Sequence, residues 1–371
     1  MARRQGAVEG LDMSSAPGDP GFWHGRRVLV TGHSGFKGGW LSIWLARAGA
    51  EVTGIALPPE SEPNLFDAAG VARLLAANQF LDIRDPAALK SAVAAAQPEI
   101  VFHLAAQPLV RRSYAQPAET FATNVMGTVN LLDALKDCAA TRAAVLVTTD
   151  KVYANREWPW PYREEDSLGG HDPYSASKAA CELAIASYRA ALLTGRGIRV
   201  ASARAGNVIG GGDWSEDRLL PDAIRAWRRG ARLNVRRPDS VRPWQHVTEP
   251  VAAYMTLARR LWDGGACDGA YNFGPSPGAA ASVRDVVERA RAAWGGEAGV
   301  EWGDGGTGPH ETGALTLEIA KARRDLGVVP RLSLDVAIGR SVAWYRRHLD
   351  GADPLALCHA DIDAFEAATC P

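Results

Sequence analysis

Two pairs of polar side chains in this sequence have the types and spacing that proton transfer requires. Asp150 and Lys151 follow the apolar run AAVLVTT, directly after Thr149. Tyr174 and Lys178 are four residues apart in HDPYSASKAACEL, which places both on one helix face. A tyrosine hydroxyl has a pKa of about 10, and the Lys178 cation would favour its phenolate. Taken singly, each pair also has an ordinary interpretation, as a turn cap beside a solvated lysine or as a plain helix surface.

A glycine-rich turn supplies a candidate phosphate site. Gly32, Gly35 and Gly38 lie in TGHSGFKGGW, between a β-branched run and a helix-like apolar run. Glycines at such a turn let a pyrophosphate approach the backbone at a helix N-terminus, where N–H groups are unpaired. The turn therefore predicts a dinucleotide site, and a packing role is the alternative. The predicted contacts within it are Gly32, Ser34, Gly35, Phe36, Lys37 and Gly38.

The elements that must position these groups alternate regularly along the first half of the chain. Short β-branched runs and longer amphipathic segments follow one another, as in βαβ units with right-handed crossovers. The pattern predicts an α/β fold with a doubly wound parallel Rossmann sheet. Its predicted strands are RRVLVTG, EVTGIAL, QFLDI, EIVFHLAA, AAVLVTTD and GIRVASARAGN.

After Asn207 the composition changes to a mixture of arginine, tryptophan and proline, which predicts a smaller, discontinuous C-terminal substrate domain. Helices are expected in RLLPDAIRAWRRG, VTEPVAAYMTLARRLWDG and SVRDVVERARAAWGG, and a strand in AYNFGP. The expected organisation is a disordered tail over residues 1–21, a dinucleotide-binding domain over 22–207 with returning pieces at about 243–272, and a mainly substrate-binding domain over 208–371.

The composition excludes several classes of function. The chain has 371 residues, 47% of them hydrophobic, and a formal net charge of −1, so no global field marks a nucleic-acid or membrane partner. Its five cysteines are scattered without metal-ligand spacing, which predicts no metal site and reduced thiols in a cytoplasmic protein. The N-terminal stretch has no apolar segment of the signal-peptide type.

Taken together, the glycine turn, HLAAQ, Thr149 and Tyr174-x-x-x-Lys178 resemble the extended short-chain dehydrogenase/reductase family, in its nucleotide-sugar-modifying branch. The resemblance covers about residues 22–345. Longer strings are similar to the group of 4,6-dehydratases that act on CDP-glucose: GHSGFKGGWLSIWL, AAQPLVRRSY, TTDKVYAN, RAGNVIGGGDW and RPWQHVTEP. The resemblance implies that NAD takes hydride from sugar C4, that the C5 proton and the 6-hydroxyl then leave, and that hydride returns to C6. The implied product is CDP-4-keto-6-deoxy-D-glucose.

In this reaction the resemblance implies catalytic roles for Thr149, Asp150, Lys151, Tyr174 and Lys178. Our hypothesis makes Asp150 the general acid for water loss and has Lys151 remove or position the C5 proton, with their exact division open. Related dehydratases acting on dTDP- and GDP-sugars carry an acidic residue in the second place, so the lysine favours the CDP branch. Lowering a lysine pKa from 10.4 to about 7 requires about 4–5 kcal/mol, and Lys178 and the nicotinamide cation are expected to contribute.

Further cofactor contacts are predicted at the strand ends. EVTGIAL ends with neither an acid nor an arginine at its tip, which leaves NAD and NADP undecided at that position. Asp82 and Ile83 either flank the adenine or form an ordinary strand end. Asn124 is expected to support the catalytic strand. The remaining predicted cofactor contacts are Leu104, Ala105, Ala106, Thr148, Tyr174 and Lys178.

A sugar nucleotide's diphosphate favours arginine and amide donors. The predicted substrate contacts are Gln107, Arg111, Asn207, Arg218, Arg242, His246, Asn272 and His310. Loop support is the alternative for Gln107 and Arg111, and a surface position for His310. Most other arginines of RAWRRGARLNVRRPDSVRP are interpreted as a solvated helix face.

Two other functions compete with this interpretation. One is a dehydratase or epimerase acting on another nucleotide-linked hexose, and the other is a non-catalytic, cofactor-binding regulator. The helices that hold Asn124 and Tyr174 are apolar around their circumference, which predicts a homodimer or homotetramer formed through a helix bundle.

Overall fold

A computed structural model of the protein describes residues 16–276, 278–296, 298–304 and 313–369. Its strands, in chain order, are β1 (Arg27–Thr31), β2 (Glu51–Ala56), β3 (Ala77–Phe80), β4 (Ile100–His103), β5 (Ala143–Val147), β6 (Arg199–Ala205), β7 (Asn207–Ile209), β8 (Leu233–Val235), β9 (Val241–Arg242), β10 (Trp244–His246), β11 (Gly269–Phe273), β12 (Ala281–Ser282) and β13 (Val300–Trp302). Seven of them form a parallel sheet in the order β11-β6-β5-β4-β1-β2-β3. This confirms the predicted α/β fold with a doubly wound Rossmann sheet.

The register of the sheet brings several strand ends to one edge. Thr31 at the end of β1 is opposite Ile55 of β2 and His103 of β4. The strand order reverses between β1 and β4, and ligands of open α/β sheets bind in the crevice beyond such a reversal. One prediction was shifted along the chain: the third strand, expected over residues 79–83, ends at Phe80, so Asp82 and Ile83 lie in the turn that follows.

Helices cover both faces of the sheet. They are α1 (Pro20–Trp23), α2 (Phe36–Arg47), α3 (Leu65–Ala68), α4 (Pro86–Ala96), α5 (Val110–Ala115), α6 (Pro117–Phe121), α7 (Gly127–Leu135), α8 (Pro173–Tyr188), α9 (Leu219–Arg228), α10 (Thr248–Trp262), α11 (Val283–Trp294), α12 (Ala320–Leu326), α13 (Leu334–Leu349) and α14 (Pro354–Ala367). One face packs against α2 and α10, and the other against α4, α7 and α8. The β-branched strands are therefore buried on both sides, as a parallel sheet requires.

The C-terminal half contributes both to the central sheet and to a separate layer. Strand β11 pairs with β6, and α10 packs on β5 and β6. The other late strands form three small pairs, β7 with β10, β8 with β13 and β9 with β12. These pairs hold the loops that face the edge of the main sheet.

The last residues of the predicted tail are packed against the rest of the chain. Helix α1 starts at Pro20, and the fully buried Trp23 donates a hydrogen bond from Nε1 to Pro17 O at 2.7 Å. Asp19 pairs with Arg259 at 2.9 Å. Local composition did not show that Trp23 packs into the core; residues 1–15 of the predicted tail over residues 1–21 lie outside the described residues. Across the described ranges, no helix combines the length and apolar character that a membrane span needs.

Candidate active site

A cleft of about 1090 Å³ lies at the edge of the sheet where β1, β4 and β5 end. Its walls are the glycine turn, the segments that follow these strands, the start of α8, and the loops between β7 and β9. All five predicted catalytic residues line it. The cleft also receives every predicted cofactor residue except Asn124.

The glycine turn is shaped for close approach of a ligand to the backbone. Gly32 has a φ of +79°, and a Cβ there would lie 2.6 Å from Ala105 N. A Cβ on Gly38 would overlap the carbonyl oxygen of Gly32. The N-cap of α2, Gly35, offers no side-chain cap, and the first turn of α2 holds no acid. The N–H groups at this helix end are thus available to an anion, and the residues fit a dinucleotide pyrophosphate.

The rest of the predicted cofactor wall lies beside this turn. Leu104, Ala105 and Ala106 follow β4, Thr148 follows β5, and all four line the cleft together with Ile83. Ser34 Oγ donates to Leu57 O at 2.7 Å, which ties the turn to the end of β2. The Asp82 carboxylate accepts from Arg84 Nη2 at 2.6 Å, and Arg84 holds the pKa of Asp82 below its usual range. Asp82 therefore lines the cleft, but its carboxylate is already paired with Arg84 of the same turn.

Asn124 lies behind the cleft rather than in it. Its Oδ1 accepts from Gln107 N at 2.8 Å, and its Nδ2 donates to Ser177 Oγ at 2.9 Å. The residue sits in one π-helical turn, Ala122–Met126, of the kind that often marks functional sites. Asn124 thus holds the segment after β4 against α8, in keeping with the supporting role expected for it, and its direct contact with a cofactor stays a prediction.

The segment after β5 carries the acid and the amine. It forms a short 3₁₀ turn, Asp150–Val152, in which Thr149 Oγ1 donates to Asp150 Oδ1 at 2.9 Å. Asp150 is buried, and within the described structure its Oδ2 has no hydrogen-bond partner. Burial raises the pKa of Asp150, and the neighbouring Lys151 ammonium opposes this shift. A carboxyl of this kind holds its proton closer to neutral pH than an exposed one does.

Lys151 is half-buried beside Asp150. Burial lowers the pKa of Lys151, the Asp150 carboxylate opposes this, and the Arg242 and Arg218 guanidinium groups add to it. The predicted direction of the Lys151 pKa shift is therefore supported. Its largest cause is burial, to which these two arginines add, whereas the sequence argument had assigned the effect to Lys178 and the nicotinamide cation.

Helix α8 presents the tyrosine and the second lysine. Tyr174 and Lys178 are buried on the same face, and Lys178 Nζ donates to Val147 O at 3.2 Å. Burial raises the pKa of Tyr174 to about 12, and a hydrogen bond with Thr149 opposes this rise. The lysine therefore does not dominate the acidity of Tyr174 as the sequence argument expected. Burial lowers the pKa of Lys178 as well.

The sequence did not indicate the electrostatic environment of Lys37. It lies in the first turn of α2, where burial and the cations Lys178 and Arg218 lower its pKa to about 8. Asp150 and Asp213 oppose that shift. Lys37, predicted only as a cofactor contact, thus brings a third amine into the electrostatic environment of Asp150.

Five predicted substrate residues line the cleft, namely Gln107, Arg111, Asn207, Arg218 and Arg242. Gln107 also supports its loop, because its Nε2 donates to Thr120 Oγ1 at 2.9 Å and its Oε1 accepts from Leu109 N at 2.6 Å. Arg111 Nη1 contacts Asp217 Oδ1 at 3.2 Å, which links the two sides of the cleft.

Two predicted substrate residues do not line the cleft. His246 is buried away from the cleft, with Nδ1 2.8 Å from Thr248 Oγ1 and its ring against Trp40. Asn272 is fully buried, accepts from Tyr153 OH at 2.6 Å and donates to Tyr162 O at 2.9 Å. Both polar groups are used by the core. His310 lies outside the described residues.

The sequence interpretation missed part of the basic wall. Arg225, Arg229, Arg236 and Arg237 also line the cleft, although most of this run was taken as a solvated helix face. The sequence did contain a signal for this wall, because two arginines directly follow the short strand-like run LNV. Side chains at the end of a strand face the edge of a sheet. Within the described residues, no group of three histidine, cysteine or acidic side chains is placed to hold a metal ion.

A family model described as the NAD dependent epimerase/dehydratase family matches residues 28–274, which include the glycine turn, the acid–amine pair and the Tyr174–Lys178 pair. The chain belongs to this family. The assignment confirms the family predicted from the motifs, and it makes NAD the cofactor expected by the family.

Relatives of the epimerase/dehydratase family agree with this assignment. The CDP-glucose 4,6-dehydratase of Salmonella typhimurium is 45% identical over 95% of this chain and 99% of its own length. The structure of MoeE5 in complex with UDP-glucuronic acid and NAD has a TM-score of 0.74 at 25% identity, covering 86% of this chain and 99% of that one. The NAD complex of dTDP-glucose 4,6-dehydratase from Bacillus anthracis has a TM-score of 0.73 at 21% identity, with 88% and 99% covered, and shares the fold.

Proposed function

We propose that this protein is a CDP-glucose 4,6-dehydratase, which converts CDP-D-glucose into CDP-4-keto-6-deoxy-D-glucose and water. The observation that carries the proposal is the buried Asp150 with the half-buried Lys151 next to it, in the same cleft as Tyr174 and the glycine turn. The similarity to the Salmonella dehydratase over nearly the whole chain supports it.

The cleft divides naturally between cofactor and substrate. The glycine turn and the start of α2 would hold NAD, which when bound supplies a hydride acceptor at sugar C4 and a hydride donor at C6. Arg218 and Arg242, together with Arg236 and Arg237, would bind the diphosphate, because planar guanidinium groups suit phosphate oxygens. The hexose then lies beside Tyr174, which accepts the proton of the 4-hydroxyl.

The acid and the amine act in the elimination. The 4-ketone acidifies the C5 proton, which Lys151 accepts as a neutral amine. Asp150 donates its proton to the departing 6-hydroxyl, which leaves as water. Burial favours the neutral form of each group, so it prepares the protonation states that this step needs. Lys151 returns its proton to C5 when C6 is reduced.

The balance of protons over one catalytic cycle suggests a role for Thr149. At the end of a cycle Tyr174 holds the proton of the 4-hydroxyl, while Asp150 has lost one to water. Thr149 Oγ1 donates to Asp150 at 2.9 Å, and Thr149 opposes the rise in the pKa of Tyr174. Transfer of a proton from Tyr174 through Thr149 to Asp150 would restore the starting state without a net change in cofactor.

To test this proposal, the purified protein is incubated with NAD and with CDP-, dTDP-, GDP- or UDP-glucose. The 4-keto-6-deoxy product and the released water are then measured. We expect CDP-glucose to be preferred. Product from another nucleotide sugar in preference would overturn the substrate assignment. Interconversion of C4 epimers without loss of water would show an epimerase, and absence of turnover with NAD bound would favour a regulator.

We also propose that two copies associate through the face formed by α8 and the helical segment Pro117–Leu135. Phe121, Met126 and Leu183 on this face are 39%, 51% and 63% exposed, unusual values for large apolar residues. Equilibrium sedimentation of the wild type should give a dimer or a multiple of it. Leu183→Glu should weaken this association, and an unchanged mass would refute this interface.

A further inference from the structure

A buried carboxylate next to the catalytic residues has no role in the reaction proposed above. Glu182 is 4% exposed and lies one turn after Lys178 on α8. Its Oε1 accepts from Thr148 Oγ1 at 2.5 Å, and its Oε2 accepts from Ser202 Oγ at 2.7 Å and from Arg204 Nη2 at 2.9 Å. Three donors therefore fix both oxygens of one carboxylate in the interior of the protein.

These contacts surround the catalytic segment. Thr148 immediately precedes Thr149, and Lys178 Nζ holds Val147 O one residue earlier. On the other side, Arg204 Nη1 donates to Tyr153 OH at 2.9 Å, and Tyr153 directly follows the 3₁₀ turn that contains Asp150 and Lys151. One buried network thus fastens the catalytic segment at both of its ends.

Stability alone does not explain this network, because burying an ion pair costs desolvation free energy. Glu182 and Arg204 are each 4% exposed at the side chain, and an ion pair removed from water gains little net stability over an apolar pair. Breaking such a pair on one side is strongly destabilising, which explains why both members persist once present. The network also holds the reacting groups rigidly in place, and this benefit is separate from stability.

From this arrangement we infer that Glu182 is a positioning residue for the catalytic segment and for the charge of Lys178. Its carboxylate fixes Thr148, and with it the direction in which Thr149, Asp150 and Lys151 leave β5. Its negative charge also favours the ammonium form of Lys178, four residues away on the same helix. The inference rests on the proposed function for its substrate, and it adds two residues, Glu182 and Arg204, that contact neither the sugar nor the cofactor.

Glu182→Gln removes the charge and keeps the shape. Lys178 should then lose its proton at lower pH. The alkaline limb of the pH profile of kcat for CDP-glucose should therefore move inward, to lower pH, by about one pH unit. A displaced catalytic segment should also lower kcat about a hundredfold with little change in KM. A purely structural residue would lower the folded fraction without moving the limbs.

The same shift should appear in a measurement that needs no turnover. Lys178 lines the cofactor side of the cleft, so NAD affinity should fall on the alkaline side as its ammonium is lost. In Glu182→Gln this fall should begin at lower pH than in the wild type. If the wild type binds NAD but does not turn over CDP-glucose, the proposed function fails, and the binding profile still tests Glu182.

Three further variants keep the inference falsifiable. Glu182→Gln combined with Arg204→Met leaves no unpaired buried charge, so it should fold. Because it removes both charges of the pair, its alkaline limb should move less than in Glu182→Gln, while kcat stays lowered. Glu182→Asp keeps the charge on a shorter stem, so it should lower kcat without moving the limbs. Glu249→Gln removes another buried carboxylate, one that binds Arg331 N and Leu332 N outside the cleft, and should leave the profile unchanged.

An unshifted alkaline limb in Glu182→Gln together with wild-type kcat in the double variant would overturn the inference. If neither of these variants folds, Glu182→Asp decides the question, because wild-type kcat in that variant would show that the position of the carboxylate does not matter. An inward shift in Glu249→Gln of the same size would also overturn it, since the effect would then follow from removing any buried carboxylate.

Discussion

Replacing Lys151 with methionine separates the two halves of the proposed reaction. Methionine has a similar length, and its apolar side chain can keep the contacts of the half-buried lysine stem. Tyr174, Lys178 and the glycine turn are unchanged in this variant, so oxidation at C4 should proceed. The C5 proton, however, loses its base. We therefore expect NADH and a 4-ketone to form while loss of water stops.

The size of the effect follows from what the amine contributes. A positioned general base accelerates a reaction by about 10²–10⁴, so kcat should fall by that factor, or about 3–5 kcal/mol in activation free energy. Lys151 also makes the largest contribution that opposes the raised pKa of Asp150. Removing it raises that pKa further, so Asp150 keeps its proton and the acid is not lost with the base. The defect should consequently fall on C5 deprotonation alone.

A single-turnover experiment in heavy water checks this separation. The NADH absorbance of the Lys151→Met enzyme should rise after CDP-glucose is added and then persist, and C5 should acquire no deuterium. Lys90→Met is the matched control, because Lys90 lies on the surface helix α4 with 57% of its side chain exposed. Full turnover by Lys151→Met would refute the role of the amine. Loss of NADH formation with NAD still bound would show that Lys151 belongs to the oxidation step.

Three other predictions follow from the geometry. Tyr174→Phe should lower kcat by about 10²–10⁴ while NAD affinity, measured by titration calorimetry, changes little. Gly38→Ala should abolish NAD binding in the same assay, because its Cβ would overlap Gly32 O, whereas Gly339→Ala, whose Cβ meets open space, should not. Burial raises the pKa of Glu249 from 4.5 to about 7. Its stabilising effect is complete below about pH 4.5 and lost as pH rises through about 7. Thermal unfolding across this range should show a smaller decline for Glu249→Gln than for the wild type.

The sequence predicted those parts of the site that depend on local pattern. The glycine turn lies between a strand and a helix that are adjacent in the chain, and Tyr174 and Lys178 share a face because of helical spacing alone. The position of Asp150 and Lys151 followed from the end of one apolar run. Parallel strands end at one edge of a sheet, so these local features were enough to bring the catalytic groups together.

Features that depend on distant pairings were not predictable in this way. Asn272 lies on β11, whose side chains meet Tyr153 only because β11 joins the sheet beside β6. Strand β8, which places Arg236 and Arg237 at the cleft, has three residues and pairs with β13 more than 60 positions later. Such short, non-local strands have no periodic signature of their own. A polar residue in a strand of this kind can face the core or the cleft, and the sequence alone does not distinguish these outcomes.

The burial of Asp150 and Lys151 explains their proposed chemistry better than their closeness to each other does. In water, a carboxyl and an amine side by side would be an ion pair, with no proton on the acid to donate and no lone pair on the amine to accept one. Burial acts in the opposite sense, raising the pKa of Asp150 and lowering that of Lys151, while their mutual attraction only partly offsets it. Arg242 and Arg218 strengthen this effect at Lys151. The groups that would bind the diphosphate therefore also help to keep the amine unprotonated, so substrate recognition and C5 deprotonation depend on the same charges.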